Sequence, residues 1–369
     1  MRSIHCIVIK FSGLFIKRNI LYSHTIFHKL FPHFVYQSIN IAFIYKVLNA
    51  HAYFRVLLII IVVIVVIVGI LASYIALRSI PKYEVEKIDV TVESTPARVA
   101  QGTKLASMLC RNCHYNEATQ KFTGKELKEA PQFGTIHSAN ITQDTIAGIG
   151  KWSDADIIYL IRTGVKPDGQ YIPPYMPKLI HISDEDLYSI VAFLRSSNNW
   201  VQPDNTRQPK SKPSFLTKFL VTIGKAKPFP YPKEKILQPD TTDLVKWGKY
   251  ISCYQLECFS CHSKDFATND FYIPEKSEGY FGGGNVMFNQ EGKKLVTLNI
   301  TMDESTGIGS WTEEQFINAV KSGLVPNDQP ALRYPMRPYP NLTDQEVKAI
   351  FAYLKTVPKL NHKVERKLD

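Results

Sequence analysis

Hydrophobic positions are distributed along this chain in two different ways. From Val56 to Leu77 they form one run, VLLIIIVVIVVIVGILASYIAL, without a charge. A helix of that length rises about 33 Å at 1.5 Å per residue, enough to cross a bilayer. Beyond it, apolar residues recur at helical spacing instead. Leu187, Ile190, Val191 and Leu194 form one stripe, and Val347, Ile350, Phe351 and Leu354 another, the pattern of helices with one face in a core. Each stripe follows a cap-like tetrad, Ser183-Asp-Glu-Asp186 or Thr343-Asp-Gln-Glu346. Ser153-Asp-Ala-Asp156 and Thr312-Glu-Glu-Gln315 predict two more helix starts, the latter as a capping box.

These elements occur twice. Asn140-Ile-Thr-Gln-Asp-Thr-Ile-Ala-Gly-Ile-Gly-Lys-Trp152 aligns with Asn299-Ile-Thr-Met-Asp-Glu-Ser-Thr-Gly-Ile-Gly-Ser-Trp311 at an offset of 159. Pro-Tyr-Met176 aligns with Tyr-Pro-Met336, and Ala192-Phe-Leu-Arg195 with Ala352-Tyr-Leu-Lys355, both at 160. A period this long marks a duplicated domain rather than a solenoid. Between the copies, residues 197–242 hold seven prolines, which predicts a semi-rigid connector and not a third domain. The expected organisation is a basic lead over 1–55 that is disordered or follows a mis-assigned start, a transmembrane anchor over 56–77 and a linker over 78–95. The first repeat then covers 96–200, the connector 201–240, the second repeat 241–358 and a basic tail 359–369.

Charge adds topology to this picture. Of the formal net charge of +11, seven charges lie in residues 1–55, which contain no acid, while acidic residues begin at Glu84 just after the apolar run. The positive-inside rule keeps such a lead in the cytoplasm and exports the chain beyond Leu77. The lead is too long for a cleaved signal peptide, and no A-x-A pattern comes after the run. A basic balance confined to this side reports topology and implies no nucleic-acid partner.

The chemistry lies in two pentapeptides, Cys110-Arg-Asn-Cys113-His114 and Cys258-Phe-Ser-Cys261-His262. Each is C-x-x-C-H, the pattern in which two thiols form thioethers to haem vinyl groups and the adjacent imidazole reaches the iron. A shared zinc would leave both histidines unexplained and would need pairs 148 positions apart to meet. A thioredoxin-like motif explains neither histidine nor duplication. The two remaining cysteines, Cys6 and Cys253, do not make a disulfide framework for a chain this long. Cys253, about a turn before Cys258, reads as a small buried side chain. Helices over about 97–112 and 243–257 are expected to deliver the two motifs. The haem motifs are offset by 148, so the second copy carries about a dozen extra residues before Asn299, near Gly282–Gly284. Those glycines match no phosphate-loop pattern.

A second axial ligand is expected from Met176 and Met336, which sit at matched positions in proline-stiffened loops. Their thioethers would close the iron and raise its potential, although filling a core gap is the alternative use of such residues. Met108, Met287, Met302, His137 and His181 lack counterparts in the other copy. Trp152 and Trp311 are matched as well, either donating to haem propionates or packing over the haem edge.

With these motifs in view, the chain resembles the membrane-bound multi-haem class I cytochromes c, and is most similar to the cytochrome subunits that accept electrons for periplasmic membrane-associated dehydrogenases. The resemblance covers roughly residues 96–200 and 240–358. It rests on both C-x-x-C-H motifs, the paired Asn-Ile-Thr to Gly-Ile-Gly-x-Trp segments, the downstream methionines and the capped final helices. It implies a mainly α protein in which an N-terminal transmembrane helix precedes two tandem cytochrome c-like domains. Two covalent haem c groups would be held by Cys110, Cys113, His114 and Met176, and by Cys258, Cys261, His262 and Met336. It also implies an inner-membrane location with the haem domains facing the periplasm, a redox donor such as a dehydrogenase, and a respiratory acceptor. Two features depart from that family, whose better-known members have three haem domains and enter the periplasm behind a signal peptide. Closed His/Met coordination leaves no place for substrate at iron, so an electron carrier without catalytic residues is expected. A dihaem peroxidase with one open iron is the alternative.

Overall fold

The computed structural model describes residues 32–289, 291–327 and 329–365. Cys6 and the rest of residues 1–31 lie outside them. The chain divides between Tyr74 and Ile75 into two compact units.

The described part of the first unit, residues 32–74, lies within helix α1 (Pro32–Leu77). Within the expected lead, the chain is helical from Pro32 onward. Proline suits the first helical turn, and no Gly or Pro occurs again until Gly69. Within α1, Ala52–Leu77 is long and apolar enough to cross a membrane.

The second unit is mainly helical and repeats one plan twice. In the first copy, α2 (Pro96–Leu109) leads into the single turn α3 (Arg111–His114), followed by α4 (Asp154–Thr163) and α5 (Asp184–Leu194). In the connector stands α6 (Phe215–Thr222). The second copy runs α7 (Leu244–Lys249), a π-helical turn Tyr250–Gln255, α8 (Cys258–His262), α9 (Glu313–Ser322) and α10 (Asp344–Leu354). All four tetrads cap their helices, and Ser153, Thr312 and Thr343 form complete capping boxes. Two short antiparallel pairs complete the unit, β1 (Gly134–Thr135) with β2 (Lys212–Pro213) and β3 (Val286–Phe288) with β4 (Lys294–Val296).

First and last helices of each copy cross at a glycine. An added Cβ on Gly102 would lie 1.8 Å from the Ser189 carbonyl oxygen, and one on Gly248 1.8 Å from that of Ala349. These contacts are offset by 146 and 160, so they are the same crossing built twice. The extra residues of the second copy fall in two places. Gly248 to Cys258 is two residues longer than Gly102 to Cys110, and this excess is taken up by the π-helical turn and by Glu257 at φ 49°. The larger excess lies between His262 and Phe281, ahead of the Gly-rich loop, because Phe122 and Phe281 already stand at the 159 offset.

One hydrophobic core runs through both copies, from Leu105, Phe122 and Phe193 to Ile251, Phe281 and Phe351. The copies also meet through matched polar contacts. Lys104 Nζ donates to both carboxylate oxygens of Glu346 at 2.6 Å. At the equivalent place the Tyr250 hydroxyl donates to Asp186 at 2.6 Å, and Gln255 Nε2 donates to the same oxygen at 2.9 Å. Each first helix thus holds the N3 carboxylate of the other copy's last helix, an approximately two-fold arrangement. The connector is tied to the first copy rather than spanning solvent. Tyr231 stacks on Tyr159 at 5.8 Å, and Val221 and Ala226 join a small cluster with Val165 and Tyr171.

Candidate haem-binding site

Each C-x-x-C-H segment is a short helix launched from the end of a longer one, so the two cysteines and the histidine are fixed on a single turn. Cys110 closes α2 and begins α3. The four motif cysteines are free thiols, half-buried because they face an internal space. Burial pushes Cys110 and Cys258 up to about 12 and Cys113 up to about 11. Burial thus favours the neutral thiol at these positions. Among the described residues, no three or more His, Cys, Asp or Glu side chains are grouped to hold a metal ion.

The histidines are oriented identically. His114 Nδ1 lies 2.8 Å from the Ala139 carbonyl oxygen, and His262 Nδ1 2.9 Å from that of Leu298. A carbonyl only accepts, so Nδ1 carries the proton and the Nε2 lone pair is left for iron. Burial lowers both imidazole pKa values, favouring the neutral ligand form. Each accepting carbonyl directly precedes the repeated Asn-Ile-Thr, which gives that motif a structural meaning. Asn140 Oδ1 accepts from the backbone N–H and hydroxyl of Thr142, and Asn299 does the same with Thr301. Their amide nitrogens donate to Asp204 and Thr206, and to Leu360, pinning the chain beyond each last helix. Asp144 and Asp303, two residues further on, gather backbone N–H groups of the loop. Gly148 and Gly307 leave room for the carbonyls of Thr142 and Thr301, which a Cβ would meet at 2.3 and 2.2 Å.

The methionine loops are hairpins fastened at both ends. In the first copy Ile172 N–H donates to Gly164 and Leu179 N–H to Ile161; in the second, Leu332 donates to Gly323 and Tyr339 to Val320. The first loop has an additional tie. Lys178 is buried beneath it, with Nζ donating to the carbonyls of Pro173 at 2.8 Å and Met176 at 2.6 Å. Its stem passes Gly164 so closely that a Cβ there would lie 2.4 Å from Cε. Pro338 takes the equivalent place in the second copy, facing Gly323. Burial pulls Lys178 down to about 7 and raises Glu257 to about 8, each shift opposed by the charge of the other group.

Cys110, Cys113, His114 and Met176, together with Cys258, Cys261, His262 and Met336, line one continuous cavity of about 1810 Å³. That exceeds the ~300–1,000 Å³ of an ordinary small-molecule pocket. Trp311 lines it too, while Trp152 packs against the adjoining core. Among the weaker candidates, Met108, Met287 and His137 reach the cavity wall, Met302 lies in the core and His181 packs in a tilted contact on Tyr254 at 4.9 Å. Cys253 is buried and contacts the Tyr280 hydroxyl at 3.0 Å. Paired thiols, a neutral imidazole and a thioether around one shared space fit a covalent haem in each copy, and in the first copy His137 Nδ1 is orphaned on its wall. Lys178 and the two carbonyls behind the histidines escaped the sequence reading. Only the constant position of Ala139 and Leu298 before Asn-Ile-Thr was there to signal the latter.

Comparison with known proteins agrees with this geometry. Residues 97–194 match the family model described as cytochrome c oxidase, cbb3-type, subunit III, and residues 251–358 match that of cytochrome c. The chain is 28% identical over 280 residues to the cytochrome c subunit of a quinone alcohol dehydrogenase from Gluconacetobacter polyoxogenes, covering 73% of this chain and 58% of that protein. It is 26% identical over 286 residues to the fructose dehydrogenase cytochrome subunit of Gluconobacter japonicus, covering 72% and 55%. A dihaem cytochrome c-type protein of Cereibacter sphaeroides is 26% identical over 259 residues, covering 68% and 82%. The chain therefore spans somewhat more than half the length of the first two relatives. It carries two cytochrome c domains in tandem, and with them two covalently attached haem c groups.

Proposed function

We propose that the chain relays electrons between two haems as the cytochrome subunit of a membrane-associated dehydrogenase, with haem domains at 96–200 and 241–358. In this reading Cys110, Cys113, His114 and Met176 hold haem 1, and Cys258, Cys261, His262 and Met336 hold haem 2. Covalently held haem supplies one-electron chemistry at a tuned potential. The residues of the chain fix the imidazoles, bring the thioethers to the open faces and keep both groups in one shared space. Residues 52–77 anchor the chain in the inner membrane, the haem domains face the periplasm, and a respiratory component takes the electrons. The single observation that carries this reading is that both matched ligand sets open on one cavity. Adjacent haems with filled coordination suit electron passage and leave no iron for substrate.

Carbon monoxide added to the reduced full chain tests it. Neither haem spectrum is expected to shift readily, whereas Met176→Ala opens haem 1 and Met336→Ala opens haem 2. Prompt binding by the unmodified chain overturns the closed-iron reading and leaves the dihaem peroxidase as the better account.

A further inference from the structure

The connector helix α6 presents an unusual surface. Thr217 and Val221 point into the protein, while Phe215 (49% exposed), Leu216 (44%), Phe219 (37%) and Ile223 (51%) lie open on the other side. Phe215 and Phe219 stack on each other at 6.3 Å, so they form one continuous apolar face rather than scattered side chains. Between Asp204 and Glu234 the chain holds seven Lys or Arg and no acid. Lys210 and Lys212 precede the helix, and Lys225 and Lys227 come after it, all exposed or half-buried. Apolar side chains flanked by cations at both ends are the pattern of a helix lying in a membrane interface. Within the second unit the helix is also tied to the residues that end α1. Lys218 Nζ donates to the carbonyl of Ala76 at 2.5 Å, next to Leu77, the last residue of α1, which is 87% exposed. Wherever the bilayer surface meets the end of that segment, α6 is within one lysine side chain of it.

We propose that α6 rests in the phospholipid interface, its phenylalanines and Ile223 among acyl chains and its flanking lysines at anionic headgroups. The inference rests on the reading of residues 52–77 as an anchor. It gives the connector a task that its proline content alone did not suggest: holding the haem domains against the membrane.

The haem-loaded full chain, reconstituted in vesicles of mixed zwitterionic and anionic phospholipid, provides the test. Benzoylphenylalanine replaces Phe219 in one sample, Val65 of α1 in a second and exposed Glu304 in a third. Irradiation is expected to give phospholipid adducts at position 219 within about threefold of the yield at 65, and at least about tenfold above that at 304. Lipid adducts at 65 but background yield at 219 overturn the proposal while leaving the anchor intact. Adducts of 219 with protein instead of lipid overturn it in favour of a docking surface. Background yields at both 65 and 219 overturn the anchor reading, and the proposal with it.

Discussion

Lys178 Nζ holds the Met176 carbonyl oxygen at 2.6 Å from beneath the first methionine loop. It reaches there only because Gly164 has no side chain. The second loop has Pro338 at that place, so the two methionines are fastened by different means.

Replacing this clamp separates the two haems chemically. Lys178→Met keeps the length of the side chain but leaves the Pro173 and Met176 carbonyls without their donor. Losing about 1.4 kcal/mol of support for the closed loop multiplies its open population tenfold. Carbon monoxide should then react about tenfold faster with haem 1 and unchanged with haem 2, read by stopped-flow absorbance. Gly164→Ala should reproduce the effect by displacing the lysine. An unaltered rate in Lys178→Met, alongside a raised rate in Met176→Ala, shows that the clamp does not govern the loop.

The contacts between the copies predict matched losses of stability. Lys104→Met leaves the buried Glu346 without its cation, and Tyr250→Phe removes one of two donors to Asp186 Oδ2. Each should lower the unfolding free energy by about 1–3 kcal/mol. Urea titration followed at the haem absorbance measures this, and an unchanged midpoint in both variants would contradict the interface.

The glycine crossings tolerate nothing larger. Gly102→Ala and Gly248→Ala each place a methyl within 1.8 Å of a carbonyl oxygen on the facing helix. Helices must separate to relieve this, at a cost of about 2–4 kcal/mol. Haem content per chain, from the pyridine haemochrome, should fall towards one in either variant, because each crossing lies just ahead of one attachment motif.

Acid should weaken the second copy through Asp303. Hydrogen bonds from Ser305 and Thr306 lower its pKa to about 2. A carboxyl depressed in the folded state contributes stability above its unfolded value of about 3.9, and that contribution is lost as the pH falls through the folded value. Asp303→Asn keeps the acceptor oxygen and removes the titration. The slope of stability against pH between about 4 and 2 should therefore flatten in the variant, as measured by denaturant unfolding across that range.

How much of this was legible beforehand depended on how local each signal was. Both haem motifs, the methionine positions and all four helix caps are written within a few neighbouring residues, and the sequence showed them. Gly102 and Gly248 carried no local signal, because the partner that requires each lies some 90 to 100 positions away. The π-helical turn was hidden for a related reason: the two-residue excess appears only once those glycines are aligned. Lys178 was missed, since nothing in Met-Pro-Lys indicates that its ammonium turns inward. In the connector, seven prolines masked an eight-residue helix whose apolar stripe is too short for a periodicity argument to detect.

The two-fold match between the copies also bears on what pairs each copy with its own partner in the chain. Each copy carries a donor on its first helix and a carboxylate on its last, so Lys104 is as well suited to Asp186 of a second molecule as to Glu346 of its own. Tyr250 and a foreign Glu346 are matched in the same way. Contact chemistry alone leaves three combinations of halves open. The connector selects among them by holding the correct neighbour at an effective concentration that no separate molecule reaches, and a chain cut within residues 201–240 would be free to pair like with like.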